Sequence, residues 1–497
     1  MAKKLFYSLY ATDGFIDLPT DPTGCLERRN IYVFGFVGGL WKFQDKCTGK
    51  YTICDSDLDP SNITKRDELR GTAVIPSPLI KMDVDDELFI TFTNLGLLRA
   101  KEPILDVHSI HIHGGHVATQ LDGVPETSFG VPVTPIGKPS ISITYYFKPE
   151  TPGSYFYHCH QEAAEHVQMG MYGGLIVYPA AADVRKFINS KGITNRNFAN
   201  SEPSSFFDKE YVILLSDIDS RWHDAVQNQT GFNPVEFRPD WWLVNGRAFP
   251  DTLLPSGTAV GGGAYKIPAG YDSYVHIKNG QKFLLRLINM GYQPVPWHTH
   301  GWHGMIVNKD AHPNMHMEKV FTQLVGSGES YDLLFIAEDK RLNYEDYIFC
   351  GKSGFPPLMT QVDDATKESK AEGTFMPGFG DSDTLWANTP EAGGTTLCPF
   401  PGNFKVQNYG TSDRLFFPQF YIAHNHDDYK VTNNGVYPGG QLIFIQTDLP
   451  KERPYPPCGP KTNQEVDDKF FKVQTCGENT DLKADEQFLK LRTCFEI

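Results

Sequence analysis

The sequence lacks what a membrane-spanning or nucleic-acid-binding chain needs. No apolar run approaches the roughly 18 residues of a bilayer-spanning helix. Lys and Arg number 45 against 60 Asp and Glu, a formal net charge of −15. Such a balance repels phosphate backbones, which excludes nucleic acid as a natural partner, and mildly favours cationic substrates or metal ions. Low-complexity tracts and short-period repeats are absent. Long uninterrupted helices are not expected either, because 45 Gly and 35 Pro among 497 residues divide the chain into short elements separated by turns. The N-terminal stretch Met1–Tyr10 starts like an export signal, but its apolar character breaks at Thr12-Asp13-Gly14.

What is present is strand-like. Residues 30–179 contain Ile31–Phe36, Glu87–Phe92, Ile141–Phe147 and Gly174–Tyr178, short aromatic or β-branched runs bounded by turn residues. A polar linker over 182–208 follows, with one helical stretch. A second series contains Glu210–Leu215, Ser273–Ile277, Lys282–Ile288 and Tyr331–Ile336. The pattern predicts an all-β protein of two β-sandwiches, 1–181 and 209–450. Between 339 and 412 the strand signal fades into Gly, Pro, Asp and Thr-rich sequence too long for an ordinary loop, read as an insertion in the second sandwich. A polar, Cys-containing extension covers 451–497.

Eleven of the sixteen histidines fall in four clusters: His108, His111 and His113; His158, His160 and His166; His298, His300 and His303; His424 and His426. A His-x-His pair on a strand turns both imidazoles to one face, because strand side chains alternate. Two metal ligands then converge. One pair is weak evidence; four, two in each sandwich, are not a coincidence. Imidazoles alone suit copper, zinc or iron.

The metal is narrowed by the segment from His158-Cys159-His160 through His166 to Met171. A thiolate, a later His and a thioether on one loop, joined by an upstream His, form the ligand set of a trigonal blue copper site, and soft sulfur selects copper. Cys159 faces opposite to its two flanking histidines, so the tripeptide serves two sites. This arrangement resembles the multicopper oxidases. Their His-Cys-His signature, followed by His-x-x-x-Gly-Met, is reproduced by His158-Cys159-His160 and His166-Val167-Gln168-Met169-Gly170-Met171, with a spacer two residues longer than the common form. Their His-x-x-His-x-His-Gly motif is matched by His108 to Gly114.

That resemblance implies cupredoxin-like Greek-key sandwiches and four coppers per chain: one type 1 held by His108, Cys159, His166 and Met171, and one type 2 with two type 3 held by His111, His113, His158, His160, His298, His300, His424 and His426. It implies that a small reducing substrate, a phenol or a low-valent metal ion, delivers single electrons at an exposed edge of His166 or His108, and that dioxygen is reduced to water. With the Cys-bearing sandwich first, the order is similar to the two-domain multicopper oxidases, which implies a homotrimer; a compact monomer with the sandwiches face to face is the alternative. Asp122 and Asp310 are candidate proton donors near the cluster by position, and Glu162 and Glu165 candidate groups for a cationic substrate. Met169 competes with Met171. His116, His303 and the stretch His312–Met317 read as surface features, and His223 and His276 are given no role.

Two rival functions fit the histidines less well. A copper nitrite reductase needs only three histidines at its second centre, which the doubled pairs exceed. A copper-storage or electron-transfer protein has no use for eight additional histidines. Of nine cysteines, Cys159 as a ligand leaves eight, compatible with four disulfides in a periplasmic or secreted protein; a reduced set and a cytoplasmic setting stay open.

Overall fold

The computed structural model describes residues 2–20, 28–188, 192–260, 265–316, 318–338 and 419–448. The expected insertion and the Cys-containing extension lie outside the described residues.

Four main sheets make two sandwiches. In the first, one sheet has the spatial order Tyr51–Ile53, Arg28–Asp45, Lys3–Pro19, Glu87–Asn94 and Ser142–Phe147, and the other Ile80–Asp83, Tyr172–Tyr178, Gly153–His158 and His111–His113. Leu9, Phe34, Phe36, Ile90, Phe92 and Phe147 from one sheet pack against Ile112, Tyr155, Tyr157, Leu175 and Val177 from the other. Alternation along each strand supplies this inner face. The N-terminal stretch that starts like an export signal is a strand, Lys3–Pro19, paired along its whole length with Arg28–Asp45. Its polar break is absorbed: Asp13 is buried and accepts a hydrogen bond from Tyr32 Oη at 2.8 Å.

In the second sandwich, the sheet built on Lys209–Ile218, Lys282–Asn289, Ser330–Ile336 and Gly304–Lys309 faces one ordered Val275–Lys278, Leu442–Asp448, Gln419–Asn425, Val295–Thr299 and Thr322–Val325. Leu285, Leu287, Leu333 and Phe335 meet Ile277, Trp297, Ala423, Ile443 and Ile445 between them.

The two sandwiches also pack on each other. Phe156, Ile176 and Tyr178, on the outer face of the first, contact Val212, Leu214, Leu284, Ile288 and Val307 on the outer face of the second. That double burial explains why Tyr172–Tyr178 is buried throughout and reads as a continuous apolar run. Arg286 is wholly buried in this interface, with Asp332 at 3.0 Å and Glu210 at 2.8 Å. Ser154 Oγ, from the strand leading to His158, donates to the same Asp332 at 2.5 Å. The linker forms short turns, Ala181–Val184, Arg185–Phe187, Asn195–Asn197 and Pro203–Ser205, and a helix absent from the sequence reading, Ser220–Asn228, packs beside Arg28–Asp45.

Candidate metal centres

The strand Gly153–His158 runs directly into Cys159 and His160. Cys159 turns into the core of the first sandwich, while His158 takes the opposite face. His108 and His166 join the thiol: His108 Nδ1 lies 3.8 Å and His166 Nδ1 3.5 Å from Cys159 Sγ, and the two nitrogens are 3.3 Å apart. None of the three residues has exposed surface. Burial, reinforced by neighbouring His166, holds His108 well below the ordinary histidine range, so its lone pair is available. Nε2 of both histidines is buried without a hydrogen-bond partner. Three convergent N, N and S donors in a dry site are the donor set that copper favours. Met171 closes the loop, its N–H donating to His166 O and its carbonyl accepting from Cys159 N–H. Met169 is equally buried, but its backbone is directed elsewhere, to Phe34 and Glu165.

The expected exposed edge for electron delivery is corrected by the structure. His108 and His166 are both 0 % exposed. Asp106, missed in the sequence, covers His166: its Oδ2 lies 3.8 Å from His166 Nε2, and its side chain is 36 % exposed. Glu165 joins them, so that two carboxylates and one imidazole bring donor atoms within 4.8 Å of one another. Burial and the nearby Glu162 and Asp106 carboxylates push Glu165 above the usual range.

Four histidines gather on the outer face of the first sandwich. His111 stands opposite His158 on neighbouring antiparallel strands, and their ring centroids are 5.1 Å apart; His111 is 5.3 Å from His160 and 5.8 Å from His113. His113 stacks on Phe156 at 4.2 Å. A matching quartet occupies the second sandwich. His298 stands opposite His424, with His298–His300, His298–His426 and His300–His424 at 4.8, 5.0 and 5.2 Å. His424 and His426 thus return beside their partners across the long undescribed segment.

Hydrogen bonding orients these rings. His111 Nδ1 meets Asp122 O at 2.9 Å, His158 Nδ1 meets Cys159 O at 2.9 Å, His298 Nδ1 meets Phe321 O at 2.8 Å and His424 Nδ1 meets Asn425 O at 2.8 Å. A carbonyl only accepts, so Nδ1 carries the proton and Nε2 keeps its lone pair for a ligand. At the Cys159 site the reverse holds, with Nδ1 turned inward. His300 and His424 point Nε2 at each other 3.2 Å apart, close to the roughly 3.3 Å between two imidazole nitrogens on one tetrahedral metal ion. Burial, followed by the surrounding imidazoles, lowers His158 to about 3 and also lowers His300 and His424.

The quartets do not meet within one chain. Ile112 and Tyr157 fill the first core, so His111, His113 and His158 face the second sandwich. Trp297 and Ala423 fill the second core, so His298 and His424 face away from the first. Two stacked sheets intervene, on the order of 20 Å. No ring contact joins the quartets among the described residues.

Of the acids expected near the cluster, Asp122 holds His111 through Oδ1 at 3.1 Å as well as through its carbonyl. Asp310 is exposed, accepts from Ser330 N–H at 2.9 Å, and is close enough to act on His113 electrostatically. His116, His303, His276, His312 and His316 are exposed, whereas His223 is buried with Nδ1 2.6 Å from Tyr32 O. Among the described cysteines, Cys47 and Cys54 are exposed and free; the other six expected to form disulfides lie outside the described residues.

Residues 65–182 match the family model described as multicopper oxidase. The chain is 27 % identical over 282 residues to multicopper oxidase MmcO of Mycobacterium tuberculosis, covering 53 % of this chain and 46 % of that one. It is 30 % identical over 145 residues to copper resistance protein A of Escherichia coli, covering 29 % and 18 %. It spans less than half the length of these relatives. The fold matches the blue copper oxidase of Nitrosomonas europaea with a TM-score of 0.50 at 21 % identity, covering 96 % of this chain and 98 % of that one. Residues 65–182 thus match a multicopper oxidase domain through the Cys159 segment, and the chain as a whole shares the cupredoxin-like two-sandwich fold.

Proposed function

We propose that this chain is a copper-dependent oxidase that takes single electrons from a small reducing substrate, a low-valent metal ion rather than a phenol, and passes them to dioxygen. The carrying observation is the combination of the His108, Cys159 and His166 triangle with two histidine quartets. His108, Cys159, His166 and Met171 would hold a type 1 copper. The eight quartet histidines would hold one type 2 and two type 3 coppers. When bound, these supply one-electron redox chemistry and the four-electron reduction of dioxygen to two waters.

The protein's own part is positional. Cys159 and its two flanking histidines give the first centre a short covalent path to the quartet. The backbone carbonyls on Nδ1 fix which nitrogen each ring offers. Asp310, solvent-exposed and near enough to act on His113 electrostatically, would bring in the protons that dioxygen reduction consumes. Because His166 has no exposed ring edge, an aromatic donor has nothing to stack on, whereas Asp106 and Glu165 offer carboxylates to a cation at the same atom. Since the quartets of one chain face different directions, each cluster would be completed from two copies, the first sandwich of one and the second sandwich of the next, in a homotrimer. A periplasmic or secreted setting suits a copper enzyme with these relatives, and no helix among the described residues is long and apolar enough to cross a membrane.

Copper quantitation with oxygen-uptake assays on Fe(II), Mn(II), Cu(I) and a phenol tests this. About four coppers per chain are expected, and uptake faster with a metal ion than with the phenol. A fully loaded protein that consumes no oxygen with any donor would overturn the oxidase reading.

A further inference from the structure

The loop from Cys159 to His166 is two residues longer than the family's common form, and its length is spent on a helical turn, Ala163–His166, entered through Glu162 in the left-handed region at φ 42°. Neither feature is stable alone. A four-residue turn is too short to offset its nucleation cost, and a left-handed non-glycine residue persists only where its surroundings hold it.

What holds the turn comes from the other sandwich. Tyr292 Oη lies 2.6 Å from Ala164 O and 3.1 Å from Ala163 O, donating to the carbonyls of the turn's first two residues. Trp222 Nε1 donates to Glu165 Oε2 at 3.3 Å. Past His166, buried Gln168 donates through Nε2 to Asp217 O at 3.1 Å. Asp217 also fixes the clamp: its carboxylate accepts Tyr292 N–H at 3.2 Å and Gln293 N–H at 3.0 Å. Phe237 packs edge-on against the Tyr292 ring at 5.3 Å. His166 therefore sits between two points of attachment to the second sandwich, while Cys159 belongs to the core of the first.

We infer that Tyr292, with Trp222 and Asp217, latches the lengthened loop to the second sandwich and so sets where His166 stands relative to Cys159. Tyr292 is a positioning residue; it touches neither the thiol nor the imidazole. The reading of His166 and Cys159 as ligands of one copper underlies the second half of this inference but not the latch itself.

The test compares wild type, Tyr292→Phe, Trp222→Phe and a control, Tyr211→Phe, whose hydroxyl bonds the His276 backbone instead. Amide exchange is followed over residues 162–168 in the full-length, copper-free protein, and the visible band, copper hyperfine splitting and reduction potential in the copper-loaded protein. The expected result for Tyr292→Phe is exchange about five- to tenfold faster across the turn, as loss of one hydrogen bond dictates, with a shifted band, splitting and potential. The control should leave all of these unchanged. Unchanged exchange in both loop variants would overturn the latch. Faster exchange with an unaltered band and potential would overturn the positioning of His166. A wild-type protein with no thiolate-to-copper band would instead sink the copper reading, and exchange alone would then decide the latch.

Discussion

His298 stands directly opposite His424 on antiparallel strands, although the whole of 339–418 separates them in sequence. The same cross-strand pairing joins His111 to His158 in the first sandwich. Each sandwich thus carries one histidine quartet. Among the described residues no ring contact joins the two.

Mixing tests this arrangement directly. A His111→Ala/His113→Ala chain and a His298→Ala/His300→Ala chain are each expected to lack oxygen uptake. Co-expressed, they should recover a fraction of it, because in a mixed trimer at least one junction joins two unaltered quartets. Recovery indistinguishable from zero, with mixed oligomers shown to form, would refute the shared cluster.

Cys159→Ser leaves the fold its side-chain volume but removes the soft donor. The expected result is loss of the visible thiolate-to-copper band and a fall from about four coppers per chain to about three, read by absorption and metal analysis. Retention of the band would assign it to another site.

Asp106→Asn removes a carboxylate charge facing His166 Nε2 while keeping its size. A KM for Fe(II) or Mn(II) raised roughly tenfold, equivalent to ~1.4 kcal/mol, is expected, with phenol oxidation unchanged or improved. Equal effects on cationic and neutral donors would argue against a cation beside this carboxylate.

Burial raises the Asp217 carboxyl to about 6, against the opposing pull of the Gln293 and Tyr292 N–H groups. An acid whose folded pKa is raised makes the folded state bind more protons than the unfolded chain. Its contribution to stability is therefore least favourable above pH 6 and improves as pH falls toward 4. The stability gap between wild type and Asp217→Asn should move in favour of wild type by about 2 kcal/mol between pH 7 and pH 4, measured by denaturant unfolding. A gap that does not change with pH would show that Asp217 is not strained by burial.

Arg286→Ala leaves Asp332 buried in the interface without its cation, while Glu210 keeps Lys81 at 2.9 Å. Breaking such a pair costs about 3–5 kcal/mol. A lowered Tm is expected, without a change in copper bound per folded chain.

Much of this was legible in the sequence because period-two alternation and His-x-His spacing express the same geometry. The strands at Glu87–Asn94 and Lys282–Asn289, and the opposition of Cys159 to His158, follow directly from it. Other features were hidden because they depend on contacts between distant segments. Asp106 was missed because nothing local marks its reach to His166. Thr12-Asp13-Gly14 looked like a break, because only Tyr32 and the neighbouring strands make a buried aspartate tolerable there. The directions of the quartets could not be read either: alternation says that two histidines share a face, but which neighbour that face meets is decided by how the sandwiches stack.

Under the proposed assembly, the outward-facing quartet of the second sandwich would tie metal content to subunit concentration. His300 and His426 are exposed in a single chain, so under the proposed assembly each separated copy presents a half-filled, water-washed chelate. Ions bridging two copies stabilise only the joined state, and mass action then links them. Dilution should strip metal, and a chelator should dissociate subunits, as two expressions of one equilibrium.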